Sequence, residues 1–234
     1  MSEQIHLAAR AAHLMLIAMA VIYTIRLYWF TRFKAGKERQ APTGTPGRTN
    51  PGLGSRYSLM NVAMPWAMES TRTKPLLYAQ FVIFHLGVVA AILQTFTLYF
   101  DFTLVWHNNP TGALIFQILT GAAFVVAVLR VMRRTGSKYM RAISTPDDHF
   151  SLLLLTVWFF SAFLAANNPV GEETVLFGIN GDTALLVFFW MTAFFLIYVP
   201  FSKISHYLYY PFTRYYLGKT LGRRGVYPLV RKND

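Results

Sequence analysis

The sequence predicts an all-α membrane protein with five transmembrane helices, an N-terminus outside and a C-terminus in the cytoplasm. Of its 234 residues, 54% are apolar and only 14% are charged, whereas a typical soluble domain has about 25% charged residues. The apolar residues form five long stretches, and the basic residues fall into alternate connections between them. A β-barrel does not fit, because barrel strands are about ten residues long and alternate in polarity.

The five apolar stretches are each close to the length that a membrane-spanning helix needs, about 20 residues. Between residues 76 and 129, Asp101 is the only charged residue. No internal repeat or second domain is evident, so we expect a single membrane domain over residues 1–234. The predicted spans are residues 11–31, 76–100, 113–132, 150–167 and 184–205.

The basic residues predict the orientation of these spans, because cytoplasmic loops of membrane proteins are enriched in Lys and Arg. Eight Lys/Arg lie in residues 32–74, five in 130–141 and seven in 203–232, but none in 102–111 or 168–183. This alternation predicts a multi-pass protein whose N-terminus lies outside and whose basic loops and C-terminus lie in the cytoplasm. The net charge of +12 then mostly reflects the topology of the chain. A docking surface for a cytoplasmic partner is the alternative interpretation of these basic residues and is compatible with the first. Nucleic acid is not an expected partner.

Two cytoplasmic segments are expected outside the bilayer: a long loop at 34–74 and a basic tail at 207–234. The loop is rich in Gly, Pro and Thr through Ser55, which predicts irregular structure there. Its second half is more apolar and could lie along the membrane surface or against a partner, and Pro65 argues against one continuous helix. The tyrosines of the tail suit a membrane-interface belt or contact with a partner protein.

The absence of cysteine limits the chemistry of the chain. It excludes disulfides, thiolate nucleophiles and Cys-ligated zinc or iron–sulfur sites on this subunit. The six histidines are then the candidate ligands, because neutral imidazole is a common axial ligand of haem iron. His6 and His107 fall in outside segments, where we expect solvated side chains.

His85 and His206 are the strongest candidates. His85 lies inside the second predicted span, where an ionisable residue suggests a function, and Gly87 beside it could let a flat macrocycle approach. His206 lies at the cytoplasmic end of the fifth span. A haem could join these two helices on the cytoplasmic side, with its propionates near Lys203, Arg72 or Arg130.

Two motifs around these histidines resemble a known family. The run Val199-Pro-Phe-Ser-Lys-Ile-Ser-His206 is similar to the last-helix motif of the gamma (cytochrome b) subunit of respiratory nitrate reductase. Phe84-His85-Leu-Gly-Val88 resembles the second-helix motif of the same family. The resemblance implies that His85 and His206 ligate one haem b.

The resemblance covers about residues 76–220 and has limits. The stretch 141–150 is closer to cytochrome b subunits of heterodisulfide-reductase-like and sulfite-reduction-linked complexes in the same superfamily. At the positions that ligate a second haem in the nitrate reductase subunit, this chain has Thr95 and Phe188. Neither side chain can ligate haem, so the resemblance implies a single haem b.

Two further histidines have open interpretations. His13, near the outer end of the first span, suits helix packing, an interfacial position, a quinone contact or a relocated second haem. His149 follows Ser144-Thr-Pro-Asp-Asp148, which is typical of a helix start with a polar cap, an early proline and acids at the positive end of the dipole. A quinone, propionate or partner contact is the alternative for His149.

These observations favour an electron-transfer subunit that works with menaquinone or ubiquinone and a cytoplasmic iron–sulfur partner. No motif for a terminal substrate is present, so its status as an enzyme stays open. The alternative is a haem-free anchor that docks redox subunits through the loop and tail. A transporter is disfavoured, because inverted repeats are absent and His85 is the only acid or base within residues 76–100, 113–129 and 150–167, apart from membrane-interface positions.

Overall fold

A computed structural model describes residues 2–32, 49–66, 69–99, 110–166 and 175–228 of the chain. The helices are α1 (Glu3–Arg32), α2 (Pro51–Met60), α3 (Glu69–Arg72), α4 (Pro75–Tyr99), α5 (Pro110–Gly136), α6 (Lys138–Ile143), α7 (Pro146–Ala166), α8 (Gly181–Tyr198) and α9 (His206–Arg223). Short 3-10 segments lie at Asn61–Ala63, Val199–Phe201 and Lys203–Ser205. His107, predicted as a solvated outside residue, lies outside the described residues.

Among the residues that the structure describes, five helices are long and apolar enough to cross a membrane. They are α1, α4, α5, α7 and the stretch Gly181–Phe201, which comprises α8 and the turn after it. The predicted spans match them to within a few residues, except that α1 begins at Glu3. By length and composition, the chain is therefore an all-α, multi-pass membrane protein, as the sequence predicts.

One short β-hairpin departs from an entirely helical fold. Strands β1 (Val175–Leu176) and β2 (Ile179–Asn180) pair antiparallel immediately before α8. Phe177 and Gly178 between them have φ of 55° and 77°, and two positive φ values in a two-residue loop match the type I′ hairpin turn. The hairpin thus leads directly into the N-cap of α8, where the Asn180 side chain accepts a hydrogen bond from the Thr183 amide.

The contacts divide the chain into two units: Met1–Ile25 with Gln80–Ile204, and Arg26–Ala79 with Ser205–Asp234. The single domain predicted over 1–234 stays a prediction, and each unit is described below by itself.

The first unit has a core of aromatic and small residues on α7 and α8. Trp158 and Phe188 are fully buried. The Trp158 indole stacks on Phe195, with ring centroids 4.3 Å apart. Its Nε1 donates a hydrogen bond of 2.9 Å to Thr192 Oγ1. This pairing fixes the rotation of α7 against α8, because a buried indole N–H needs an acceptor.

Replacing Trp158 with Phe should test the strength of this contact. The ring remains apolar but the interhelical hydrogen bond is lost, and such bonds in membranes are worth about 0.6 kcal/mol and at most about 1.7. We expect the free energy of unfolding in detergent to fall by more than that range, because the smaller ring also leaves a cavity at a fully buried site. The hydrogen bond accounts for the part that lies within the range. A double-mutant cycle with Thr192→Val isolates the coupling; strictly additive effects would contradict the assignment.

The second unit contains a close pair of helices, α2 and α9. Replacing Gly54, Gly218 or Gly222 by any larger residue would place its Cβ against the backbone of the facing helix. The Asn50 amide also donates to Gly222 O at 3.0 Å, and Ser55 Oγ donates to Tyr215 O at 3.3 Å. The three glycines therefore let the two backbones touch.

The helix α2 corrects one prediction. Residues through Ser55 were expected to be irregular, but Pro51–Ser55 form the first half of α2. Asn50 caps this helix through a 2.9 Å bond from the Leu53 amide to its Oδ1, and Pro51 takes the first helical position, which lacks an intrahelical acceptor. Gly54 in this segment allows close contact between α2 and α9 and does not mark an irregular loop. As predicted from Pro65, no continuous helix follows: α2 ends at Met60 and gives way to a 3-10 turn.

The contact between α2 and α9 bears on topology. Four spanning helices, α4, α5, α7 and α8, separate these two segments in the sequence. An even number of crossings returns a chain to the side where it started. The contact therefore agrees with the prediction that the loop at 34–74 and the tail at 207–234 share one side of the membrane.

Candidate functional site

His85 lies on α4 and is half-buried. Its Nδ1 is 2.7 Å from the Phe81 carbonyl oxygen, one helical turn earlier. A neutral imidazole in this contact carries its proton on Nδ1 and its lone pair on Nε2. This tautomer is the one that metal-ligating histidines commonly use, because a backbone carbonyl then fixes the ring and raises its basicity.

Arg130, on α5, comes close to the same part of α4. Its guanidinium carbon lies 4.5 Å from the centroid of the Phe84 ring, and Phe84 in turn packs edge-to-face on Phe159. A half-buried cation beside the residue that precedes His85 is a suitable partner for an anionic group near this histidine. The structure thus places the predicted site residue Arg130 against Phe84, whose ring centroid lies 5.9 Å from that of His85.

Gly87 has a different environment from the one predicted. A Cβ at this position would overlap the Ala123 methyl group of α5 and would lie 3.3 Å from Leu119 O. The glycine therefore permits close helix packing, as small residues commonly do in membrane proteins. This packing accounts for Gly87 without a macrocycle, and a haem contact at Gly87 stays a prediction.

Lys203 is held by the N-terminus of α7. Its Nζ lies 3.0 Å from Asp148 Oδ2 and 3.0 Å from Thr145 Oγ1. Arg134 Nη1 lies 3.6 Å from the same carboxylate. Lys203 was predicted to meet a haem propionate. In the structure, its side chain forms an ion pair with Asp148 within the first unit.

The N-terminus of α7 confirms the predicted helix start. Asp148 Oδ2 accepts hydrogen bonds from the Thr145 amide (2.8 Å) and hydroxyl (2.9 Å), and Thr145 Oγ1 accepts one from the Asp148 amide. This reciprocal arrangement is a capping box with Pro146 in the first turn. His149 follows it and is half-buried, so its quinone, propionate or partner contact stays a prediction.

Replacing Asp148 with Ala should lower the free energy of unfolding by about 1–2 kcal/mol. Loss of a cap costs about 1 kcal/mol, and an exposed ion pair adds less than about 1; the Lys203 side chain is 58% exposed. Asp148→Asn keeps the hydrogen-bond acceptor of the cap and removes only the charge. It should therefore lower the free energy of unfolding by less than Asp148→Ala does. Thermal unfolding in detergent at low and high salt measures both, and equal losses in the two variants would contradict this division.

His13 lies in an aromatic environment of the first unit. Its ring centroid is 5.4 Å from that of Phe96 and 4.6 Å from that of Tyr99, and its Nδ1 is 2.7 Å from Ala9 O. At about 1.5 Å per residue, Tyr99 lies roughly 21 Å further along α4 than His85. His13 therefore packs at the other end of that helix, which fits the helix-packing interpretation.

The two positions that would serve a second haem are filled by packing residues. Thr95 is 3% exposed and its Oγ1 donates to Ala91 O at 3.1 Å. Phe188 is fully buried and lies against Phe189, with ring centroids 5.5 Å apart. The number of haems stays a prediction. Within the described ranges, no group of three or more His, Asp or Glu side chains could hold a metal ion.

His206 and Arg72 belong to the second unit. His206 is the first residue of α9 and is exposed, and its ring lies 6.5 Å from that of Tyr207. Arg72 ends α3 and is also exposed. A 3-10 segment at Lys203–Ser205 immediately precedes His206.

Sequence reasoning missed two polar contacts inside the first unit. The Tyr198 hydroxyl donates to an Asp147 carboxylate oxygen and lies 2.8 Å from Ser151 Oγ, which ties the end of α8 to the start of α7. The Gln94 amide, fully buried, donates to Ala162 O at 2.9 Å and joins α4 to α7. A polar residue within an apolar span was the available signal for Gln94; Tyr198 gave none beyond its place at a helix end.

Comparisons with known proteins leave the family open. No known protein-family profile matches the chain. It is similar to a protein of Nitratidesulfovibrio vulgaris (strain Hildenborough), with 28% identity over 169 residues that cover 70% of each chain. No solved structure matches. The fold and the histidine environments therefore carry the functional argument.

Proposed function

We propose that this chain is a cytochrome b-like membrane subunit of a respiratory oxidoreductase complex in a prokaryotic inner membrane. A single haem b, ligated by His85 and His206, would link menaquinone or ubiquinone to a cytoplasmic iron–sulfur partner. The observation that carries the proposal is the orientation of His85. It is a half-buried histidine within a spanning helix, with Nδ1 bonded to a backbone carbonyl. His13 makes the same kind of contact with Ala9 O, and what distinguishes His85 is its sequence motif and the Arg130 cation beside the neighbouring Phe84.

The residues around His85 fit the proposed group. The contact with Phe81 O leaves Nε2 as the ligating atom, and Arg130 beside Phe84 would offset negative charge near the ligand. Bound haem supplies one-electron chemistry, and the protein supplies ligands, burial and electrostatics. His206 is assigned as the second ligand on the basis of its last-helix motif, and Arg72 as a candidate propionate contact.

The proposed orientation places the N-terminus outside and the loop and tail in the cytoplasm. It is supported by the distribution of Lys and Arg and by the contact of α2 with α9. The iron–sulfur partner would then meet a basic surface formed by these cytoplasmic segments. The absence of cysteine fits a complex in which the clusters lie on other subunits.

Haem quantitation on the purified complex tests this function. We expect a pyridine haemochrome assay and a dithionite-reduced spectrum to give one haem b per copy of this chain, after subtraction of haems on other subunits. Two haems would overturn the single-haem assignment and implicate another ligand such as His13. No haem would refute the proposal in favour of the haem-free anchor.

A further inference from the structure

A groove in the second unit lies between α2 and α9 and has a volume of about 240 Å³. Arg56 projects to it from α2 and Lys219 from α9, and Leu59 and Tyr215 form part of its wall. The Lys219 ammonium lies 5.8 Å from the centroid of the Tyr215 ring. The groove therefore combines two cations with an apolar and aromatic wall.

Close contacts between the backbones of α2 and α9 fix the two sides of the groove. Gly54 and Gly218 let the backbones of α2 and α9 meet, and Ser55 Oγ donates to Tyr215 O across the pair. Arg214 Nε donates to Ser58 O at 3.2 Å and adds a further link. Because these contacts fix the two helices, Arg56 and Lys219 lie on a scaffold that needs little ordering when an anion binds.

The helices α2 and α9 together carry a net positive charge, which favours an anionic ligand. Pro51–Met60 and His206–Arg223 contain four Lys/Arg and no Asp or Glu. Leu53, Tyr216 and Leu217, on the same two helices, are each more than 40% exposed. Cations next to exposed aliphatic and tyrosine side chains are typical of elements that lie at the membrane surface.

From this geometry we propose that Arg56 and Lys219 bind the phosphodiester headgroup of an anionic phospholipid in the groove between α2 and α9. The lipid, and not a soluble phosphate, is favoured because the wall beside the cations is apolar and because α9 begins five residues after the last spanning segment in the sequence. The lipid site does not involve the haem. A negative result for lipid binding would therefore leave the proposed function standing, and a chain without haem would leave the lipid site standing.

Native mass spectrometry of the full-length chain with added lipid tests the proposal. We expect one phosphatidylglycerol molecule to bind before others, and phosphatidylcholine with the same acyl chains to bind more weakly. A cation near an anionic lipid surface contributes about fivefold in affinity. The Arg56→Gln/Lys219→Gln variant should therefore weaken phosphatidylglycerol binding by about 25-fold, and Arg56→Lys should retain most of it.

The matched control is Arg141→Gln/Arg223→Gln, which removes two exposed cations that do not line the groove. Equal losses in the two double variants would mean diffuse attraction and would overturn the site. Unchanged binding in the groove variant would overturn it as well. Displacement of the lipid by millimolar inorganic phosphate would assign the groove to a soluble anion and refute the lipid, and competition by an acidic peptide alone would assign it to a protein partner.

Discussion

Replacing His85 or His206 by Ala should abolish the low-spin haem b spectrum of this chain. Each variant removes one of the two axial nitrogens proposed for the iron. For His85, the contact of Nδ1 with Phe81 O is lost as well. We expect the reduced α-band and the haemochrome yield to fall to background, while the chain remains in the membrane fraction.

Two comparisons make this result specific. His13→Ala and His149→Ala remove histidines that lie outside the proposed ligand pair and should keep the full haem content. His85→Gly with added imidazole should recover part of the low-spin spectrum, because the free ligand can enter the space left by the ring. Full haem retention in either His85→Ala or His206→Ala would refute the ligand assignment.

A second large effect is expected where α2 meets α9. Gly218→Ala should destabilise the pair by about 1–3 kcal/mol, the usual cost of overpacking. The added Cβ would lie 2.6 Å from Ser58 Cβ and 2.7 Å from Ser55 Cα, and a backbone cannot move aside as a flexible side chain can. The effect opposes helix propensity, which favours Ala over Gly by about 1 kcal/mol.

Hydrogen exchange of the α2 amides in detergent measures this effect. Exchange should accelerate by roughly 5- to 150-fold in Gly218→Ala, because local opening becomes easier by the same free energy. Gly136→Ala is the control, since no atom lies within 4 Å of a Cβ at that position, and it should be neutral or slightly stabilising. Unchanged exchange in α2 would contradict the close backbone contact.

The spanning helices were predictable because their signal is local. An apolar run of about 20 residues has few alternatives in a bilayer, and the start of α7 is encoded by Thr145, Pro146 and Asp148 within four residues. By contrast, α2 was missed because its stability comes from α9. In the sequence, its glycines are typical of a loop. In the structure, α9 packs against the face of α2 where Gly54 has no side chain.

The candidate site was predictable in part. The sequence identifies His85 as an intramembrane histidine, but not its bond to Phe81 O, and it identifies Arg130 only as one of several cations. The same reasoning could not decide the role of Gly87, because a glycine near a histidine suits a cofactor and a neighbouring helix equally well. Only the position of Ala123 separates the two interpretations, and that position depends on how α4 packs on α5.

The pairing of α2 with α9 also sets an order of events during biosynthesis. Ser58 and Arg214, which touch in the finished protein, are 156 residues apart in the chain. At about 5–20 residues per second, the ribosome needs roughly 10–30 s to make the second after the first. Throughout that interval the glycine face of α2 has no α9 to pack against, while α4, α5, α7 and α8 are being made. The contact between α2 and α9 can therefore form only after the spanning stretch Gly181–Phe201 has left the ribosome.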